Sequence, residues 1–341
     1  MIAKIATISF LFIVLALAFS NKIFTNYLLK PFTDRNFSNQ LISDLTILTA
    51  QTENRDKKST MQDILDDSAK LEKVAGDFQF IEGPIWHPDG FLLFSDIPAN
   101  IIYKFASNQQ VEVFRRPSGK ANGNTLDKEN RLLTAEHENR RVSRTEKDGK
   151  VIALADRYEG KRLNSPNDLV VKSDGSIYFT DPSYGISKEQ EELGFYGVYR
   201  LAPDGKLTLL VKDLVLPNGI AFSPDEQKLY VNNSQAGYIA VFDVKPDGTV
   251  TKERLFADLK DASQGGVPDG LKVDLQGNVY STGPGGVWIL SPDGKLLGKI
   301  SVPETATNLA WGESDRKTLY ITGSTSLYRI RLKIAGVRAG K

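Results

Sequence analysis

From Phe78 onward the chain repeats one plan six times, and that repetition limits its possible folds more than any other feature. Each segment opens on a polar residue followed by a short apolar alternation. The openings are Glu82 in EGPIW, Asn122 in NGNTL, Asn167 in NDLVV, Asn218 in NGIAF, Asp269 in DGLKV and Asn308 in NLAWG. Turn signals follow (HPDG, DKEN, KSDG, SPDE, DLQG and ESDR), and then second strands: FLLFSD, RLLTAE, SIYFTD, KLYVNN, NVYSTG and TLYITG. From leading residue to strand end the spacing is fourteen residues in four segments; it is fifteen in those opened by Asn218 and Asn308. Third strands, and in five segments fourth strands, complete units of the length typical of propeller blades.

One four-stranded sheet cannot bury both faces, so such units must stack around an axis. The fold expected is all-β, a six-bladed β-propeller of four-stranded blades over residues 71–335. A β-sandwich would also use short strands at this spacing, but it does not account for the recurring register. The sixth segment ends after its third strand, LYRIRL. Its missing strand is expected from LEKVAGDF (Leu71–Phe78), which would close the ring and remove an open edge.

The closed ring explains an otherwise odd Asp269-Gly270 pair. Asp-Gly is a strong hairpin-turn signal, yet here it precedes a strand, with the evident turn further on at Leu275-Gln276-Gly277. In a propeller the first strand of each blade lines the channel, so Asp269 shares an axial slot with Glu82, Asn167 and Asn218. Two carboxylates and two amides converging on one space would repel or stay unpaired if dry. A hard divalent cation relieves both problems, and Ca²⁺ suits a large shell of oxygen donors from four blades better than Mg²⁺. Mg²⁺, Mn²⁺ and Zn²⁺ are the alternatives.

Composition narrows the chemistry further. The 341 residues contain no cysteine and two histidines, His87 and His137, which excludes thiolate chemistry, disulfides and a His-rich zinc site. The 43 basic and 42 acidic residues leave a formal charge of +1, with no electrostatic case for nucleic acid. No G-x-S-x-G elbow is present. The apolar run Ile5–Phe19, with Ala16-Leu17-Ala18 as a cleavage site, makes residues 1–20 an expected signal peptide, or a signal anchor if uncleaved. Export, periplasmic or secreted, is expected on the first reading and membrane anchoring on the second. Residues 21–70 are expected to be a polar spacer with a short helix near MQDILDDSAKLEK.

The stretches FIEGPIWHPDGFLLFSDIPANIIYKF, NSPNDLVVKSDGSIYFTDPSYG, LPNGIAFSPDEQKLYVNNS and GVPDGLKVDLQGNVYSTGPGGVWI resemble the senescence-marker protein/gluconolactonase/luciferin-regenerating-enzyme-like family, closest to its gluconolactonases. The resemblance runs from about Leu71 to Leu332. It implies a six-bladed propeller with one channel metal held by Glu82, Asn167, Asn218 and Asp269, and no departure occurs at those positions. It further implies a lactonase, a carboxylic ester hydrolase that opens a sugar lactone to the hydroxy acid. A metal-bound carbonyl attacked by water fits this chain better than acyl-enzyme chemistry.

Asp269 is expected to be a ligand and the base that takes a proton from that water. His137 in LLTAEHENRR is the competing proton acceptor, or else a surface histidine among arginines. His87 reads as a turn residue. Asn122 shares the slot on a blade the family does not use for metal and is expected to contact substrate. Asp181 and Tyr184 in FTDPSYG are pocket-shaping candidates, with Asp181 facing sugar hydroxyls or else closing a turn. Two alternatives stay open: another metal-dependent esterase or phosphotriesterase on the same metal set, and a ligand-binding propeller without catalysis. The partner expected is a small-molecule lactone.

Overall fold

The structure is a computed structural model that describes residues 60–106 and 108–340. The apolar run Ile5–Phe19 and most of the spacer lie outside the described residues. Among the described residues no helix is long and apolar enough to cross a membrane.

Among the described residues, six four-stranded antiparallel sheets form the ring. Blade 1 comprises β2 (Ile81–His87), β3 (Phe91–Asp96), β4 (Ile101–Ala106) and β5 (Val111–Arg115). Blade 2 comprises β6 (Ala121–Leu126), β7 (Leu132–Glu136), β8 (Arg141–Thr145) and β9 (Val151–Ala155). A small hairpin, β10 (Arg157–Tyr158) and β11 (Lys161–Arg162), follows. Blade 3 is β12 (Leu169–Val171), β13 (Ile177–Asp181), β14 (Gly197–Leu201) and β15 (Leu207–Val211). Blade 4 is β16 (Pro217–Phe222), β17 (Lys228–Asn233), β18 (Tyr238–Asp243) and β19 (Arg254–Asp258). Blade 5 is β20 (Leu271–Val273), β21 (Val279–Gly283), β22 (Gly286–Leu290) and β23 (Leu296–Ser301). Blade 6 is β24 (Ala306–Gly312), β25 (Thr318–Gly323) and β26 (Leu327–Arg331), completed by β1 (Glu72–Ala75) from the start of the ring. The expected closing strand is therefore present: Glu72 pairs with Arg329 and Lys73 with Tyr328.

The inner strands touch in the cyclic order β24, β2, β6, β12, β16, β20 and back to β24. Between each pair of neighbouring blades lies one apolar cluster, six in all. Each cluster takes side chains from facing sheets, which is why the sequence alternates within strands yet buries both sheet faces. The aromatic residue common to four second strands (Tyr178, Tyr230, Tyr280, Tyr320) is enclosed in these clusters. Their hydroxyls need partners there; Tyr178 donates to the Gly248 carbonyl at 2.7 Å and Tyr280 to Asp274 at 3.1 Å.

Both ends of the described segment are fastened across the last blades. A short helix, α1 (Met61–Ile64), precedes β1; Ile64 is fully buried with Val287, Leu319 and Leu332. Residues after β26 run back under blade 5, where Leu275 N–H donates to Ala335 O and Val337 N–H to Val273 O.

Candidate active site

The leading polar residues sit where each inner strand breaks register. Pairing shifts between Glu82 and Ile85, Ala121 and Asn124, Pro217 and Ile220, and Ala306 and Asn308. In blades 3 and 5 the regular strand starts only after Asn167-Asp168 and Asp269-Gly270. Bulges re-aim side chains, and here they turn one polar residue per blade towards the channel.

The residue after the slot explains the glycines. Gly83, Gly123, Gly219 and Gly270 each lie against the next blade. A Cβ on them would come within 2.1 Å of Asn122 O, 2.5 Å of Asn167 O, 2.3 Å of Asp269 O and 2.3 Å of the Asn308 side chain, respectively. The close approach lets N–H groups reach across blades: Gly123 donates to Asn167 O at 2.8 Å, Gly219 to Asp269 O at 2.8 Å and Gly270 to Thr307 O at 2.7 Å.

This geometry corrects one slot assignment. Ala306 pairs with Gly323 as Ile81 does with Asp96 and Ala121 with Glu136, so the blade 6 slot is Thr307 and not Asn308. Asn308 occupies the glycine position one residue on, as does Asp168 in blade 3. The two behave alike: Asn308 Oδ1 accepts from Leu309 N–H, and Asp168 Oδ1 from Leu169 N–H. Turn residues added in blade 6 had hidden the shift. Thr307 itself points its hydroxyl at Ile81 O, 2.7 Å away, and so ties blade 6 to blade 1.

Glu82, Asn167 and Asn218 are each about 3% exposed, and Asp269 is partly buried. Glu82 Oε2 accepts from Gly83 N–H at 2.6 Å and Asn308 Nδ2 at 2.9 Å. Burial pushes its carboxyl up to about 7, with the Asp168 charge adding to the effect; Asn308, Gly83 and Lys272 oppose it. The Asp269 carboxyl is raised well above its ordinary range, by burial first, then by Glu82 and Asp168, while a hydrogen bond with Asn218 opposes this. The two carboxylates thus feel each other, as convergence on one space requires.

Asn218 Oδ1 is buried without a protein partner. Among the described residues no three histidine, cysteine or carboxylate side chains lie together closely enough to hold a metal. Any cation here must therefore use the amides as well. An orphaned amide oxygen beside two mutually repelling carboxylates has the chemistry of a hard-cation site, and the residues fit such an ion.

His137 is not at the surface. It is 5% exposed, its Nε2 lies 3.2 Å from Asn122 Nδ2, and Gly185 packs on its ring closely enough that a Cβ would meet His137 Cβ at 2.5 Å. Burial, and secondarily the Lys120 charge, lowers its pKa to about 4, so the ring is neutral at ordinary pH. Of the neighbouring arginines, Arg140 donates to Leu163 O at 2.7 Å, while Glu136 accepts from Arg141 Nε at 2.7 Å and, from further off in the chain, Arg115 Nη2 at 3.2 Å. His87 is the turn residue expected: its Nδ1 meets Asp89 N–H at 3.2 Å and its ring stacks on Phe91.

Tyr184 stands in the long connection from β13 to β14. Its side chain is 46% exposed overall, yet its phenol hydrogen-bonds with Ser234 and Asn218. Burial of that end raises its pKa, and the charges of Asp269 and Glu82 add to the rise. The hydroxyl is therefore at the site. Asp181 is elsewhere: fully enclosed, it accepts from Asn164 N–H at 2.8 Å, and burial pushes it up to about 8. It braces the backbone leading to Asn167 and does not face open space, so the expected reach to sugar hydroxyls is not observed.

Sequence reasoning passed over Asp168 and Lys272. The Lys272 ammonium lies 3.2 Å from Asp168 Oδ2, 3.3 Å from Asn308 Oδ1 and 3.0 Å from Leu271 O. A signal for Asp168 was available, because the slot-plus-one position is glycine in four segments and aspartate here.

Comparison with known proteins accords with this architecture. The model of the SMP-30/Gluconolactonase/LRE-like region matches residues 80–325. A gluconolactonase of Zymomonas mobilis is 38% identical over 300 residues, covering 80% of this chain and 84% of that protein. The pentonolactonase XacC of Haloferax volcanii is 28% identical over 252 residues, 71% of this chain and 80% of its own. The solved structure of a gluconolactonase from Xanthomonas campestris superposes with a TM-score of 0.74 at 38% identity, covering 80% of this chain and 92% of that one.

Proposed function

From the premise that this chain belongs to the SMP-30/gluconolactonase/LRE-like family, and is a lactonase, we propose that it opens a sugar lactone to the hydroxy acid at the axial site with the help of one divalent cation, Ca²⁺ in the first instance. The observation that carries the reading is the orphaned, buried Asn218 Oδ1 next to the mutually repelling Glu82 and Asp269. Glu82, Asn167, Asn218 and Asp269 would hold the ion, which supplies Lewis-acid polarisation of the ester carbonyl and stabilises negative charge on its oxygen.

The remaining work falls to this chain's own groups. A water adds to the carbonyl carbon, the ring C–O bond breaks, and the proton lost by the water ends on the departing ring oxygen. Asp269 is the base we assign to that transfer: its carboxyl is raised well above its ordinary range, which makes it a stronger proton acceptor. His137 is neutral and so also competent, but Asn122 lies against its Nε2. We assign His137 and Asn122 to orienting substrate beside the site, with the Tyr184 hydroxyl closing the solvent side.

The test is hydrolysis of a panel of aldonolactones, aliphatic lactones and aryl esters, before and after chelation, with add-back of Ca²⁺, Mg²⁺, Mn²⁺ and Zn²⁺ singly. Loss on chelation and recovery with Ca²⁺ on aldonolactones is expected. Full activity after stringent demetallation would overturn the metal's role, and a preference for aryl esters would move the chain to a different hydrolase specificity. For localisation we propose export directed by the apolar run Ile5–Phe19; fractionation that finds the chain in the cytoplasm would refute this.

A further inference from the structure

Directly beneath the slot layer, the channel is filled by three side chains from three blades: Asp168, Lys272 and Asn308. Four of the six positions at this depth are glycine. The two that are not, Asp168 and Asn308, pack their side chains against Gly123 and Gly270, and Lys272 reaches in from β20 to both. Its side chain also lines a cavity of about 450 Å³ among Trp86, Trp311 and Arg338, further along the inner strands. Lys272 therefore borders that cavity as well as the Asp168–Asn308 pair.

Their hydrogen bonds admit one arrangement. Asn308 Oδ1 accepts from Leu309 N–H at 2.8 Å and lies 3.3 Å from the Lys272 ammonium, both donors only. Asn308 Nδ2 donates to Glu82 Oε2 at 2.9 Å and to Asp168 Oδ2 at 3.4 Å, both acceptors when ionised. Rotating the amide by half a turn would set oxygen against two carboxylates and nitrogen against an ammonium. The Asp168–Lys272 ion pair, almost enclosed on the aspartate side, thus fixes which atom Asn308 offers to Glu82. Both hydrogen bonds that the Glu82 carboxylate accepts fall on Oε2.

Resting on the divalent-cation reading above, we propose that Asn308 is a positioning residue for the metal site. It commits Glu82 Oε2 to the protein so that Glu82 offers Oε1 alone to the cation, and the Asp168–Lys272 pair acts through Asn308 by locking its amide. The arrangement sets the Glu82 carboxylate in advance, and outer-shell partners of this kind typically change metal affinity about 10–100-fold when removed.

The experiment is calorimetric titration of the metal-free full chain with CaCl₂, together with melting temperature and lactonase kinetics. Asn308→Ala is expected to weaken Ca²⁺ binding by about 10-fold or more. The fold should persist, since four blades have only glycine at this depth, and excess Ca²⁺ should restore kcat. The joint change Asp168→Asn with Lys272→Met leaves the net charge of the axis unaltered and frees the amide. It should weaken Ca²⁺ binding on its own and add nothing in the Asn308→Ala background, the non-additivity of residues acting through one another. Unchanged Ca²⁺ affinity in a folded Asn308→Ala protein overturns the proposal, as does full additivity of the two changes. If Asn308→Ala does not fold, the joint variant decides alone, and unchanged affinity there overturns it equally. A wild-type chain that binds no divalent cation defeats the functional reading instead.

Discussion

Two adjacent layers of the same six inner strands follow opposite rules. The slot layer (Glu82, Asn122, Asn167, Asn218, Asp269, Thr307) is polar throughout and carries the groups with the largest pKa displacements around the axis. The layer one residue on is glycine in four blades, because there the neighbouring backbone stands where a Cβ would be. The contrast shows that one dipeptide per blade does two jobs. Its first residue faces chemistry, and its second allows the blades close enough for the first to meet its counterparts. Where the second residue is not glycine, as at Asp168 and Asn308, it fills the axis and takes part in organising the site.

Substitutions in the two layers should therefore fail differently. The largest effect is expected in the slot layer: Asp269→Asn should lower kcat/KM by more than about 100-fold, beyond what an outer-shell change costs. Melting temperature in the metal-free protein should hold or rise, since an uncompensated buried charge pressed by Glu82 and Asp168 is removed. Hydrolysis intact at full Ca²⁺ occupancy would remove Asp269 from both its roles. Next, Gly219→Ala places a Cβ 2.3 Å from Asp269 O and should cost about 1–3 kcal/mol in denaturant unfolding. Its activity loss should follow from displacing Asp269; an unaltered protein would erase the distinction between the layers.

A smaller effect concerns the brace behind the slot layer. Asp181 is raised by burial to about 8 in the folded chain, against roughly 3.9 for a free carboxyl. The folded state therefore holds its proton more tightly, and that contribution is complete below the unfolded value and lost as pH rises through about 8. Asp181→Asn, which can still accept from Asn164 N–H, should flatten the decline in stability between pH 5 and 9. An identical slope in both proteins would show that Asp181 is not the group responsible. The smallest expectation is an absence of change. With its pKa lowered to about 4, His137 should stay neutral down to about pH 5 by NMR of the ring nitrogens. A midpoint near 6.5 would mean the ring is wetted and not sealed under Gly185. The stability this depressed value contributes is lost as pH falls through about 4.

Much of this protein was legible in the chain because its constraints are local and repeated. A period-2 alternation and a turn recur six times, with a polar-plus-glycine dipeptide in four of the six, and repetition converts weak individual signals into a fold. The closing strand was legible for the same reason, since the last unit was one strand short. The four proposed ligands could be named because they occupy equivalent places in the register. Tertiary structure decided what depends on strand pairing and on neighbours from other blades. It shifted the sixth slot to Thr307, enclosed Asp181, sealed His137 beneath a glycine about fifty residues away in sequence, and brought Lys272 to Asp168 across the axis. The Lys272–Asp168 contact joins residues 104 apart in sequence, where no periodicity links them. Burial and charge around each group follow from the packed ring and have no counterpart in spacing.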